Sequence, residues 1–184
     1  MANLPKRENK MRYLNKILLV LPLVLVQQVG MAQSCNENIT PTTPDERFVD
    51  RGDGTVQDKY TGLIWMRCAL GQTWDGTTCS GDASTYNWQL ALQAADGYTF
   101  ASSSAWRLPN INELKSIVEK ACYDPAINVT AFPTTPSDGF WTSSTYAYVN
   151  DYAWRIHFYA GEYHASHRMK LDRRYVRLVR FDSN

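Results

Sequence analysis

The chain has 184 residues, with 19 Lys and Arg against 18 Asp and Glu, a length that suits one hydrophobic core behind a leader. There is no repeat of roughly twenty to fifty residues, no heptad run and no Gly-X-Y period, which excludes solenoid, coiled-coil and collagen-like architectures. The near-neutral total conceals an asymmetry: residues 155–180 carry seven bases against Glu162 and Asp172, whereas residues 33–154 carry seven bases against fourteen acids.

Residues 1–32 read as an export signal. Lys6, Arg7, Lys10, Arg12 and Lys16 form a basic opening, residues 17–26 an unbroken apolar run, and Gly30-Met31-Ala32 a small-residue exit. The run is too short for a membrane span of ~20 residues but suits a signal's apolar centre. Cleavage is expected after Ala32, leaving a mature chain of net charge −3 with no membrane span. Met11 would open a more compact signal. Lipidation at Cys35 is a rival, although Ala32-Gln33-Ser34 lacks the usual leucine.

Residues 33–46, with Pro41 and Pro44, predict an extended arm, and 47–181 a single domain. Short strands are expected at 47–50 and 55–58 about an Asp-Gly turn, then at 63–66, followed by a long loop over 69–86. Trp88, Ala91, Leu92 and Ala95 repeat at helical spacing, predicting a helix over 87–95. Asn110 with Glu113 three residues on forms a capping box for a second helix, with Leu114, Ile117 and Val118 as its buried stripe. From Phe140 onward the pattern is β. Tyr152, Trp154, Ile156 and Phe158 alternate as core positions, a turn falls at Ala160-Gly161, and strands are expected over 162–169 and 175–181. The fold class is therefore α+β: two helices with a small antiparallel sheet.

Four cysteines in an exported chain imply two disulfides. Three pairings are open. Cys68–Cys79 is favoured because the two bracket a local Gly-containing loop, which leaves Cys35–Cys122 to tie the arm to the body. Zinc is disfavoured, since no close Cys pair exists and no His lies near a Cys.

Several phrases in order carry a resemblance: Asp53-Gly-Thr-Val-Gln-Asp58, Thr61-Gly-Leu-Ile-Trp65, Trp88-x-x-Ala91-Leu92, Trp106-Arg-Leu-Pro-Asn-Ile-Asn-Glu-Leu114, Phe140-Trp-Thr-Ser-Ser144, Ala153-Trp154 and Tyr175-Val-Arg-Leu-Val-Arg180. Together they resemble the bacterial DUF1566 family, also called the Lcl C-terminal domain after the C-terminal domain of a Legionella collagen-like adhesin. The resemblance spans about residues 47–180. It implies a C-type lectin-like fold and, by way of the adhesin, binding of sulfated glycosaminoglycans. This chain lacks the adhesin's collagen-like stalk.

The basic C-terminal region is the leading candidate site, because sulfate and carboxylate polymers are held by Arg and Lys along one face. Arg168, Lys170 and Arg173 are the favoured contacts, with Arg177 and Tyr159 added. Tyr146 and Tyr148 are further possible sugar-stacking platforms. Asp50, Asp53 and Asp58 read as turn residues rather than a calcium site, since the spacing does not match an EF-hand. Arg51-Gly52-Asp53 falls inside the family's turn pattern. His157, His164 and His167 come with no nucleophile elbow, zinc-protease motif or phosphate loop. The expectation is an exported, secreted or periplasmic domain at the cell surface that is not an enzyme, with no cofactor, metal or nucleic acid. Its partner is an anionic polysaccharide or glycosaminoglycan; the alternative is a structural module binding an envelope protein.

Overall fold

The computed structural model describes Met1, residues 33–165 and residues 169–182, and among these it forms eleven short strands and two α-helices. The chain divides into Met1–Gly30 and Met31–Asn184, and every one of these strands and helices belongs to the second unit. In chain order they are β1 (Ser34–Cys35), β2 (Phe48–Asp50), β3 (Thr55–Asp58), β4 (Leu63–Met66), β5 (Thr73–Trp74), β6 (Cys79–Ser80), α1 (Trp88–Ala95), α2 (Ile111–Ser116), β7 (Cys122–Tyr123), β8 (Gly139–Thr145), β9 (Ala153–His157), β10 (Glu162–Ala165) and β11 (Val179–Phe181). Among the described residues no helix is long and apolar enough to cross a membrane.

The class is α+β, but the strands form four small antiparallel sheets rather than one. Their orders are β11-β4-β3-β2, β10-β9-β8, β1-β7 and β5-β6. Strand β4 explains the layout. All four of its residues are buried, as befits a central strand covered on both faces. Alternation sends Leu63 and Trp65 into one core with Leu114, Ile117, Phe132 and Phe158, and Ile64 and Met66 into a second with Ala91, Trp106, Val176 and Leu178. Strand β8 divides its residues the same way, Phe140 to the first core and Trp141 to the second.

Both helices begin where their side chains dictate. Asn87 accepts from the Leu90 N–H at 2.8 Å and caps α1. Asn110 and Glu113 close a reciprocal capping box on α2. Helix α2 ends at Ser116, yet Ile117 and Val118 still turn into the core.

Three expectations are corrected. The predicted loop over 69–86 contains the β5-β6 hairpin, closed by Cys68–Cys79. Of the predicted core series at 152–158, only Ile156 and Phe158 are fully buried. Ala153 is buried, and Trp154 is half-buried. A register shift between Trp141 and Thr145 of β8 opposite β9 breaks the alternation. The closing strand is only β11, with Arg174 and Tyr175 held by isolated bridges to Tyr86 and Phe140.

The arm is packed. Cys35 is bonded to Cys122, and β1 pairs with β7. The Gln33 amide donates to the carbonyls of Pro125 and Ile127 at 2.5 and 2.7 Å. Further on, the Glu119 carboxylate accepts from the Thr42 and Thr43 N–H groups at 3.0 and 2.7 Å. The Asp-Gly turn needs its glycine: Gly54 has φ +84°, and a Cβ there would lie 2.9 Å from both Trp74 and Phe100.

Candidate functional site

The start of α1 and the segment after β10 converge on one face. Asn87 fixes the helix start, so Trp88 is its first residue and lies half-buried at the domain's edge. The Trp88 indole N–H donates to the Thr142 carbonyl at 2.8 Å, which locks the ring against β8. Over that ring, 4.6 Å from its centroid, stands the Lys170 ammonium. Lys170 lies in a single 3-10 turn, Met169–Leu171. Its backbone N–H donates to the Asp151 carbonyl at 3.1 Å, and its Nζ donates to the Asn150 carbonyl. Asn87, Trp88, Gln89, Lys170 and Leu171 line a shallow cleft of about 360 Å³.

Arg173 continues the face. It is exposed, and its guanidinium donates to the Thr85 hydroxyl at 3.1 Å and to the Thr85 carbonyl. Both cations are thus oriented by uncharged oxygens. Their charge is held in place by these bonds and is not cancelled by them. Arg174 differs, since it pairs with Asp172 at 3.1 Å. Beside it, Arg155 is pulled below the usual arginine range by burial and then by the neighbouring Arg174 charge, with Asp138 and Asp172 opposing. Both arginines crowd Gly139, where a Cβ would lie 2.8 Å from Arg174 Cδ and 2.9 Å from Arg155 Nη1.

Aromatic side chains border this face. Tyr146 packs near Tyr148, Tyr152 and Trp154, at ring separations of 5.5, 6.2 and 5.5 Å. Tyr148 is 87 % exposed and Leu171 85 %.

The five residues singled out in the sequence do not form one site. Lys170 and Arg173 come together. Arg168 lies outside the described residues. Tyr159 is half-exposed but packs edge-on against Tyr123 at 6.2 Å, beside the Cys35–Cys122 bridge. It follows the end of β9, whereas Lys170 is bonded to residues preceding that strand's start. The strand's rise puts the two on the order of 15 Å apart.

Arg177 is a correction. It is fully buried, and its guanidinium donates to the Met66 and Arg67 carbonyls and, at 2.7 Å, to the Thr135 hydroxyl. It also lies over the rings of Phe132 and Phe140, at 4.9 and 5.8 Å. Burial pulls its pKa down to about 9, so it stays charged at neutral pH as an interior cation beyond a ligand's reach. Trp88 and Thr85 are not among the residues that the sequence singles out for this face. Helical spacing assigns Trp88 wholly to the inner stripe of α1. The signal for its exposure is Asn87, because a capping residue places the next side chain at the helix's open end.

Of the histidines, His157 Nε2 lies 3.2 Å from Asp138 Oδ1 and its Nδ1 accepts from the Tyr159 N–H at 3.3 Å, and His167 lies outside the described residues. Asp50 pairs with Arg67 at 2.6 Å, Asp53 accepts from Thr55 within its turn, and Asp58 is buried against Arg47. Among the described residues no His, Cys, Asp and Glu side chains gather as metal ligands.

The family model described as the Lcl C-terminal domain matches residues 54–180. No curated protein matches the chain.

Proposed function

Since the chain belongs to the Lcl C-terminal domain family, we propose that it is an exported binding module of adhesin type, not an enzyme, that engages sulfated or other anionic surface carbohydrate on the Lys170–Arg173 face. The lectin-like fold implied by the family belongs to the same reading. The supporting observation is the oriented pair of cations beside the half-buried Trp88. Lys170 and Arg173 offer charge to sulfate or carboxylate groups, while the indole edge and Tyr148 offer surfaces to a sugar ring. Export through a signal over residues 1–32 and placement outside the cytoplasm fit two disulfides.

Heparin chromatography of the oxidised protein tests the reading. Retention that falls steeply with salt is expected, because a bound polyanion releases counterions. Changing Arg168, Lys170 and Arg173 together to Ala should cost ~1–3 kcal/mol of binding with little change in melting temperature. Flow-through at low salt would defeat it. The second reading, a protein partner of the envelope, is favoured by the exposed apolar side chains of Leu171 and Tyr148, and co-purification of an envelope protein in place of heparin retention would select it.

A further inference from the structure

A second concavity lies between the end of α1, the Trp106–Asn110 segment and β11, and encloses about 470 Å³. That is within the range of roughly 300–1,000 Å³ typical of small-molecule sites. Its floor is rigid and apolar: Trp106 and Leu108 are 3 % and 2 % exposed, and the Trp106 indole N–H is tied to the Phe100 carbonyl at 2.9 Å.

One wall is an aromatic ring held out for contact. Phe181 is 66 % exposed, and the Arg107 guanidinium lies 4.6 Å from its centroid. Arg107 is itself immobilised by two bonds of 2.7 Å to the two oxygens of Glu113. Glu113 is fixed in turn by the Asn110 N–H at 2.8 Å. Asp96, Asn110 and Ser143 add short planar or hydroxyl groups around the opening.

The lining holds two acids and one base. Glu113 and Arg107 neutralise each other at 2.7 Å, which leaves the Asp96 carboxylate as the further charge at the opening. A polyanion therefore gains nothing at this cleft, whereas a carboxylate accepts well from sugar hydroxyls. What the cleft offers is an aromatic face for an apolar CH surface and a ring of directional donors and acceptors for hydroxyls. We infer that this cleft is a binding site for a neutral hexopyranose unit, with the sugar's CH face on Phe181 and its hydroxyls on Asp96, Asn110 and Ser143. The Arg107–Glu113 pair sets the ring before the ligand arrives, so little ordering cost remains. The site is separate from the Lys170–Arg173 face, and either can fail alone.

The test uses the oxidised protein and four probes: the methyl glycosides of glucose, mannose and galactose, and N-acetylglucosamine. NMR titration follows the Trp106 indole N–H, the floor's own reporter. At least one probe should shift it saturably, with an affinity unchanged by added salt because no counterions are released. Phe181→Ala should weaken that binding about tenfold, the loss of one stacked aromatic contact. Asp96→Asn, which keeps the shape and alters the hydrogen bonding, should weaken it as well. If Phe181→Ala disturbs folding, Asp96→Asn alone carries the test. The inference is overturned if no probe moves the Trp106 signal, or if neither folded variant changes the affinity. A heparin fragment or an alkylamine shifting the signal where the sugars do not would overturn it too.

Discussion

Arg47 and Asp58 face each other through two parallel bonds inside the protein, Nε to Oδ1 at 2.7 Å and Nη2 to Oδ2 at 2.5 Å, with both side chains almost wholly out of water. Asp58 also accepts from the Tyr60 N–H and the Thr61 hydroxyl, so the same carboxylate organises the turn into β4. Removing one partner of such a pair leaves the other charge buried and unpaired. Asp58→Ala should therefore cost ~3–5 kcal/mol, read as a lowered denaturant midpoint.

Acid should loosen the arm. Burial alone would raise the pKa of Glu119, but the N–H groups of Ala121, Thr42 and Thr43 and the Thr43 hydroxyl outweigh it and hold the carboxyl below its usual range. Asp58 and Glu113 are lowered against burial in the same way, mainly through Arg47 and Arg107. A carboxylate with a depressed folded pKa stabilises the protein fully above its unfolded pKa and loses that contribution as pH falls through the folded value. Melting temperature should hold steady from neutrality to about pH 5 and decline below about pH 4. Glu119→Gln should make the decline shallower. A loss of amide-exchange protection at Thr42 and Thr43 in acid, measured against the intrinsic rate at each pH, should accompany it, and protection unchanged by acid would contradict the assignment.

Loss of the bridge across β5 and β6 should be measurable. Its loop of about ten residues gives ~2–3 kcal/mol in the chain-entropy account. The double change Cys68→Ser, Cys79→Ser should lower stability by that amount, and non-reducing peptide mapping should recover the Cys68–Cys79 and Cys35–Cys122 pairs.

Arg177 should act on folding and not on ligand. Arg177→Ala removes donors from the Met66 and Arg67 carbonyls and empties a fully buried volume, for a loss of ~3–5 kcal/mol. Any of the variant that remains folded should keep its heparin retention, unlike a protein altered at Lys170 and Arg173.

Processing is directly testable. The exported form should begin at Gln33, with intact mass as the measure. A lipid on Cys35 or a retained leader would be visible at once.

What could be read from the sequence was local. Asn87, and Asn110 with Glu113, announce helix starts because a cap acts within three residues. Asp53 and Gly54 announce their turn, and Cys68 and Cys79 their bridge, for the same reason. What could not be read depended on neighbours far along the chain. An arginine following Tyr175 and Val176 looks like any surface arginine until β4's carbonyls are set beside it. Trp154 reads as core by alternation, and only the extra residues of β8 opposite it move it outward. The arm's Pro41 and Pro44 signal extension truthfully but say nothing of Glu119, which holds the intervening threonines. For the proposed face, the charge count singled out Lys170 and Arg173, while Trp88 was concealed in a helical pattern.

The two bridges are nested, Cys68–Cys79 inside the interval from Cys35 to Cys122. Synthesis delivers these thiols in the order 35, 68, 79, 122, so an oxidant joining them as they emerge would couple Cys35 to Cys68 before the native partner of either exists. The native pairing therefore requires Cys35 to stay reduced for the 87 residues that separate it from Cys122, or a disulfide isomerase to undo the early mispairing by thiolate exchange. Yield in a host lacking that isomerase should drop far more for the natural chain than for one carrying Cys35→Ser and Cys122→Ser, whose two remaining thiols have only each other.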